Sequence, residues 1–298
     1  MTKLVELCAD GLAVGAAYAL IALGFVIIYR ASGVFNFAHG EFLTVGAFTM
    51  VAAHSAGLPW PVALLVGMLV TGAIAAGIER AVIRPMVGRP VFVTIILTIF
   101  VAYLVRAAVV ILFGAEVGGV PTPWDTLGTV SVGGAIITYH GLASMAAAAI
   151  ALAAFFLVLK YTRLGIGMRA TSGDQEVALA LGVPVGRVFG ATWFLAGMYA
   201  AVAGVFLAIL TRTVDTNLGF LALRAFPAVI VGGLTSPLGT VLAALLLGVA
   251  EKLAEAYLGP VLGGFGYGFH TVVTYVIMIL FLVLRPYGLL GTRQVERV

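Results

Sequence analysis

Three polar side chains, Asn36, His39 and Glu41, lie close together where a short apolar segment begins, in the sequence RASGVFNFAHGE. If this segment enters a membrane, the carboxylate costs on the order of 3 kcal/mol there, so it is expected to face protein or water. One interpretation is that the cluster lines a translocation pathway. The alternative is an interfacial turn, in which Asn36 or His39 caps the helix and Glu41 lies near the positive end of its dipole.

A second short apolar segment, Leu221–Leu234, also carries polar residues. It has 14 residues, whereas an ordinary transmembrane helix needs about 20. Asn217 precedes the segment and Arg224 lies inside it, where a charge is costly unless it has a partner. We therefore add both residues to the candidate pathway. Arg106 lies near the outer end of its apolar run, so we expect its side chain to extend to the membrane surface.

A polar stretch, GIGMRATSGDQEVALALGVPVG at Gly165–Gly186, predicts a short helix within a loop. Its signals are Thr171 or Ser172 as N-cap, Asp174 and Glu176 in the first turn, and Gly182 as the residue that ends the helix before Pro184. Val177 and Leu181 are four residues apart and share a face, which needs burial against something. Docking of a cytoplasmic partner is the favoured interpretation, and a helix lying on the membrane surface is the alternative.

The sequence holds no motif for catalysis, cofactor binding or metal binding. Its lysines are Lys3, Lys160 and Lys252, and none belongs to the GxxxxGK[ST] pattern of a phosphate loop. HExxH, GxSxG and cysteine–histidine ligand spacings are also absent, and Cys8 is the single cysteine. His39 and Glu41, two apart on one helix, do not converge on a metal. We predict a protein that is not an enzyme and carries no cofactor.

The composition explains which elements must position these residues. Hydrophobic residues make up 62% of the 298-residue chain and charged residues 9%, with a mean hydropathy of +1.18. A soluble chain has about 25% charged residues, so lipid is the solvent that tolerates this surface. We predict an all-α polytopic membrane protein with 8–9 transmembrane helices. The net charge of +4 fits basic cytoplasmic loops rather than nucleic-acid binding.

The long apolar runs and the charges between them predict the topology. The runs are Gly11–Tyr29, Phe37–Ala53, Trp60–Ile78, Val91–Phe113, Leu142–Leu159, Val188–Leu210, Leu238–Tyr257 and Gly268–Leu284. Basic residues collect in alternate loops and at the C-terminus: Arg30; Arg80, Arg84 and Arg89; Lys160, Arg163, Arg169 and Arg187; Arg285, Arg293 and Arg297. The loop Gly114–Gly141 has instead Glu116 and Asp125 and no basic residue. This contrast predicts an outside N-terminus and a cytoplasmic C-terminus.

Opposite sides for the two termini require an odd number of crossings. Leu221–Leu234 must then cross as a ninth, short or broken helix, or Phe37–Ala53 must be re-entrant. Two segments also resemble each other: Gly15–Phe25 and Gly197–Leu207 are small-residue helices, followed by Asn36 and Asn217 and then by a short apolar segment. On the predicted topology they enter from opposite sides, so the sequence suggests an inverted repeat, with the alternative that small-residue helices simply look alike.

Three stretches of the chain resemble the LivH-type permeases, subunits of ATP-binding-cassette importers for branched-chain amino acids. They are the N-terminal stretch with NFAHGEF at Asn36–Phe42, the loop at Gly165–Val183, and FPAVIVGGLTSPLGTVLAALLLGVAE at Phe226–Glu251. The run GGLTSPLGT at Gly232–Thr240 departs from the family's usual pattern, which is closer to GGxGSxxGA. The resemblance covers nearly the whole chain, in order.

The resemblance implies a single permease domain, residues 1–298, in the bacterial inner membrane. The expected partners are a second homologous permease, two cytoplasmic ATPases, a periplasmic binding protein, membrane lipid and a small-molecule substrate. Residues 161–187 would be the coupling loop, with Gly165, Arg169, Asp174, Glu176, Ala178, Leu181 and Gly182 as its candidate residues. Branched-chain or other hydrophobic amino acids are the expected substrates. Urea or short amides, and a stand-alone transporter or channel, are the alternatives.

Overall fold

The computed structural model describes residues 2–86, 89–114, 118–125, 127–262 and 268–291. Glu116, Arg293 and Arg297, which contribute to the predicted topology, lie outside these ranges. In chain order, the helices are α1 (Thr2–Ser32), α2 (His39–Ser55), α3 (Trp60–Ile78), α4 (Val91–Phe113), α5 (Tyr139–Tyr161), α6 (Arg163–Gly173), α7 (Gln175–Ala180), α8 (Val185–Thr211), α9 (Leu218–Leu221), α10 (Phe226–Gly232), α11 (Pro237–Leu262) and α12 (Phe269–Leu284). A small hairpin, β1 (Thr129–Val132) with β2 (Ala135–Thr138), precedes α5.

The all-α polytopic prediction is confirmed. Within the described ranges, α1, α3, α4, α5, α8 and α11 are long and apolar enough to cross a membrane. The expected broken helix is also present, because α9 and α10 are joined by a 3-10 turn at Ala222–Ala225. The total number of crossings stays a prediction.

Two helices form the centre of the protein. In the most apolar stretch of α1, 89% of the residues are buried, and in that of α8, 72% are buried, whereas only 17% are buried in α4 and in α5. Both central helices are rich in alanine and glycine, whose small side chains let neighbouring helices pack closely on every side. α1 packs closely along α11, where a Cβ on Gly248 would lie 2.5 Å from the Cα of Gly15. Small residues permit such an approach without a hydrophobic force between helices.

The two segments of the suggested repeat have the same order of elements. α1 leads through Asn36 to α2, and α8 leads through Asn217 to α9. The beginnings of α2 and α9 touch each other, since a side-chain carbon on Gly40 would overlap the carbonyl oxygen of Gly219. The inverted relation between the segments stays a prediction.

Candidate functional site

An ion pair joins the start of α2 to the middle of α4. Arg106 Nη2 lies 2.6 Å from Glu41 Oε1, and Arg106 Nε lies 3.3 Å from Glu41 Oε2. The Glu41 and Arg106 side chains are only 7% and 18% exposed. The expectation that Arg106 extends to the membrane surface is therefore wrong. Its guanidinium turns inward because an unpaired carboxylate inside the protein would be far more costly.

The broken helix brings an aromatic ring and a glycine to this pair. The ring centre of Phe220, on α9, lies 3.8 Å from the guanidinium carbon of Arg106, within range of a cation–π interaction. The neighbouring Gly219 faces the carboxylate so closely that a Cβ there would lie 2.6 Å from Glu41 Oε1. α2, α4 and α9 therefore meet around one charged pair.

These three helices and α1 enclose a cleft of about 220 Å³. Glu41, Arg106 and Tyr103 are its residues with polar side-chain groups, and the rest of the lining is mainly apolar. The lining residues are Phe25, Phe37, Gly40, Glu41, Ile99, Ala102, Tyr103, Arg106, Gly219, Phe220, Ala222 and Leu223. A mostly apolar concavity with a few converging polar groups is typical of a small-molecule site.

Asn36 and His39 do not face this cleft with Glu41. Asn36 is buried, and its Oδ1 accepts a hydrogen bond of 3.0 Å from the backbone N–H of Ala38. The ring of His39 is fully buried in the core, edge-on to Phe25 with 4.6 Å between ring centres. The N-cap position of α2 is Ala38, and no side chain caps the helix there. His39 therefore does not cap the helix, whereas Asn36 holds the turn that enters α2 through its bond to the Ala38 N–H.

The two candidate residues at the second short segment, Asn217 and Arg224, do not line the cleft either. Asn217 is exposed, and its backbone N–H donates to Asp215 Oδ1 over 2.7 Å. Arg224 points away from the cleft, with its Nη1 4.0 Å from Glu251 Oε1 on α11. His270 Nε2, at the start of α12, lies at the same distance from that oxygen. Arg224 thus belongs to a polar cluster that connects the broken helix to α11 and α12.

The loop between α5 and α8 contains two helices where the sequence predicts one. α6 begins after Thr162, whose hydroxyl accepts from the N–H of Gly165, and it continues through Thr171 and Ser172. The prediction that Thr171 or Ser172 is the N-cap is therefore wrong. Asp174 caps α7 instead, with its Oδ1 2.9 Å from Glu176 N and 3.0 Å from Val177 N. Two capping residues twelve positions apart define two short helices.

The end of α7 follows the sequence prediction. Gly182 follows the C-cap residue Leu181 and has φ +81°, a conformation that glycine adopts without a Cβ penalty. Ala178 is buried, whereas Val177, Leu179 and Leu181 are exposed, with Leu181 at 78%. The apolar side of α7 therefore has no cover within the described part of the chain.

Other loop residues attach this region to the membrane helices. The guanidinium of Arg169 donates to the carbonyl of Leu159 at the end of α5. Gly165 allows the same chain reversal, since a Cβ there would overlap the Leu159 carbonyl oxygen. Gln175 Nε2 donates to the Ala31 carbonyl at the end of α1 over 3.3 Å. The base of the loop is therefore fixed to α1 and α5, and its apolar side is left free.

Sequence reasoning missed a connection at the other end of the loop. After α3 the chain forms a π-helical turn, Glu79–Ile83, and then a 3-10 turn, Arg84–Met86. Arg84 donates to both carboxylate oxygens of Glu79, over 3.1 and 2.7 Å, and to the carbonyl of Gly186 over 2.6 Å. Glu79 is 1% exposed. Arg84, which in the sequence indicated only the cytoplasmic side, thus connects α3 to the loop.

The fold and the cleft define the class of protein: a polytopic membrane protein with a broken helix at a charged pair inside the helix bundle. The family model described as "Branched-chain amino acid transport system / permease component" matches residues 7–283. The chain belongs to this family of transport permeases. The resemblance to LivH-type permeases is confirmed.

Individual relatives agree along nearly the full length. The chain is 32% identical to the high-affinity branched-chain amino acid transport system permease protein BraD of Pseudomonas aeruginosa, covering 97% of this chain and 96% of the relative. It is 29% identical to the LivH permease protein of Escherichia coli K12 over the same shares. A solved structure, PsaBC from Streptococcus pneumoniae in complex with Fab, has a TM-score of 0.51 at 14% identity and covers 93% of this chain and 91% of its own. That likeness concerns the fold alone.

Proposed function

We propose that this chain is the permease subunit of an ATP-binding-cassette importer for branched-chain or other hydrophobic amino acids. It forms one permease domain in the bacterial inner membrane, with its N-terminus outside and its C-terminus in the cytoplasm. Two cytoplasmic ATPases supply energy, a second permease completes the path, and a periplasmic binding protein delivers substrate. The family membership and the names of the full-length relatives support the substrate class.

The observation that carries the proposal is the uncovered apolar side of α7 in a chain without a phosphate loop. Val177, Leu179 and Leu181 are exposed on a helix that Asp174 caps. Exposed apolar residues grouped on one element mark an interaction surface. The sequence contains no phosphate loop with which to hydrolyse ATP, and a contact with an ATPase on this surface would supply the energy. The coupling loop, residues 161–187, is the surface that we assign to the ATPase.

The proposed path runs past the start of α2 and the broken helix α9–α10. Glu41 is the member of the proposed pathway set that lines the cleft. Three other members of the set hold the surrounding helices in place. Asn36 forms the turn before α2, His39 packs in the core against Phe25, and Arg224 lies near Glu251 on α11. Asn217 lies at the entry to the broken helix. The order of elements in the two segments supports an inverted repeat with the path between its halves.

The proposal is tested by replacing exposed residues of the coupling loop. Leu181→Asp combined with Val177→Asp places charges on the apolar side of α7, so we expect the purified permease to lose its ATPase subunits and uptake to fall more than tenfold. Leu127→Asp is the matched control, because Leu127 is equally exposed but lies in the loop before the β1–β2 hairpin. ATPase binding by the double variant at the level of the Leu127 control would refute the docking surface.

A proteoliposome assay separates the remaining functions. The assembled transporter should accumulate leucine only with binding protein outside and ATP inside. Uptake by the permease chain without ATPase subunits, driven by an ion gradient, would identify a stand-alone transporter instead. ATP-dependent uptake of urea or acetamide in preference to leucine would assign the chain to the short-amide branch.

A further inference from the structure

We propose that the cleft between α2, α4 and α9 binds a zwitterionic ligand with an apolar side chain, whose ammonium group pairs with Glu41 and whose carboxylate pairs with Arg106. This inference rests on the proposed function and deepens it, because it assigns the recognition of amino acids to two side chains of the permease itself.

The first argument is the charge of the cleft wall. Glu41 and Arg106 carry opposite charges on different helices, and each is the other's ion-pair partner. A ligand can separate two buried, oppositely charged side chains only if it gives each of them a new partner. An isolated buried charge would otherwise cost several kcal/mol.

That condition selects the class of ligand. An anion could occupy Arg106 but would leave Glu41 alone, and a cation would leave Arg106 alone. A zwitterion supplies one ammonium and one carboxylate on neighbouring atoms, so both wall charges remain paired when it inserts between them. A strictly apolar molecule could enter without disturbing the pair but would gain nothing from it.

The second argument is the rest of the lining. Ile99, Phe37 and Leu223 provide apolar surface next to the charged pair. The cleft volume of about 220 Å³ lies below the roughly 300–1,000 Å³ of sites for drug-sized ligands, so the cleft suits a molecule as small as an amino acid. Urea or a short amide could make hydrogen bonds to the pair but would cover little of this apolar surface. The lining therefore favours a hydrophobic amino acid over the short amides.

The side chains around the charged pair belong to three different helices, α2, α4 and α9. Glu41 lies in the first turn of the 17-residue helix α2, Arg106 lies on the largely exposed α4, and Phe220 belongs to the four-residue helix α9. The close approach of Gly219 leaves room for the carboxylate but for no side chain beside it. A ligand that inserts between the two charges therefore needs α4 to shift only relative to α2, because the pair joins these two helices.

The first experiment uses the assembled permease–ATPase complex in lipid nanodiscs, without binding protein and without ATP. Binding of tritiated L-leucine is measured in competition with valine, isocaproate, isopentylamine and acetamide. Isocaproate is leucine without the ammonium group, and isopentylamine is leucine without the carboxylate. Valine should displace leucine, whereas each of the other three should compete at least tenfold less well. Equal competition by isocaproate or isopentylamine, or no binding of leucine, would overturn the inference.

The second experiment changes one charge at a time. Glu41→Gln should weaken leucine binding about tenfold or more, because a charge-assisted hydrogen bond is replaced by a weaker neutral one. It also frees Arg106, so the variant should bind isocaproate more tightly than the wild type does. Arg106→Gln should show the converse gain for isopentylamine. Such gains would not result from a purely structural role of the pair.

The matched control is Glu255→Gln, which removes a carboxylate from the partly exposed Lys252–Glu255 pair on α11, outside the cleft. It should leave both leucine binding and analogue preference unchanged. Unaltered analogue preference in both Glu41→Gln and Arg106→Gln would refute the site. If the same complex still imports leucine with ATP and binding protein, the proposed function stands without it. If the wild type imports no amino acid, the proposed function fails instead.

Discussion

Arg84 donates a hydrogen bond of 2.6 Å to the carbonyl oxygen of Gly186, and so joins the end of α3 to the start of α8. The same guanidinium binds both carboxylate oxygens of the buried Glu79. Gly186 is the second residue of α8, directly after the loop that holds α6 and α7, so Arg84 links α3 to the end of that loop. π-helical turns such as Glu79–Ile83 are often found at functional positions.

We predict that Arg84→Gln destabilises the protein far more than Glu79→Gln does. Removing Arg84 leaves a buried carboxylate without its cation, which costs about 3–5 kcal/mol. Glu79→Gln removes that charge and leaves a partly exposed guanidinium, which water can solvate. Thermal unfolding of each variant in detergent measures the difference.

The double variant, Arg84→Gln with Glu79→Gln, should be more stable than Arg84→Gln alone. Such a rescue shows that the damage comes from the unpaired carboxylate. Equal Tm values for Arg84→Gln and Glu79→Gln would contradict the connection.

We predict that Asp174→Ala loosens α7 without unfolding the membrane helices. The carboxylate accepts from two backbone N–H groups, and replacing an N-cap by alanine costs about 1 kcal/mol. Faster amide hydrogen exchange at Glu176 and Val177 and weaker ATPase binding are the expected results. Asp174→Asn is the control, because asparagine is an equally good N-cap. Equal exchange rates in both variants would show that the cap has no role.

We predict that Gly248→Ala destabilises the contact between α1 and α11. A Cβ on Gly248 would lie 2.5 Å from the Cα of Gly15, and two backbones must separate to admit it. A loss of about 1–3 kcal/mol, the usual cost of overpacking, should lower the Tm. Gly77→Ala is the matched control, because a Cβ on Gly77 meets nothing within 4 Å and alanine favours a helix. A Tm for Gly248→Ala equal to that of the control would contradict the close contact.

The elements that hydrophobicity defines could be predicted from the sequence. α4 has the predicted bounds, Val91–Phe113, because Pro90 precedes its apolar run and Gly114 follows it. The broken helix could be predicted because the apolar segment Leu221–Leu234 is too short for an unbroken transmembrane helix. Both arguments are local, and they depend only on the chain's own composition and on the thickness of a bilayer.

The site depends on contacts that no local argument supplies. Glu41 and Arg106 are 65 residues apart, and their pairing follows from the packing of α4 on α2. Arg106 near the end of an apolar run is consistent with either an inward or an outward side chain. Several Thr, Ser and Asp residues in this loop can cap a helix, so the sequence could not show that Thr162 and Asp174 are the N-caps rather than Thr171 or Ser172. The π-helical turn at Glu79 has no sequence signature at all.

The burial of α1 has a consequence for how the protein is made. α1 is synthesised before α8 and α11, yet much of the surface that covers it comes from those two helices, which begin more than 150 residues after α1 ends. Until those helices leave the ribosome and enter the bilayer, its small-residue faces must be held by lipid or by the insertion machinery. α1 thus reaches its final environment only after α11 has entered the membrane, because Gly11 and Gly15 pack against the backbone of α11.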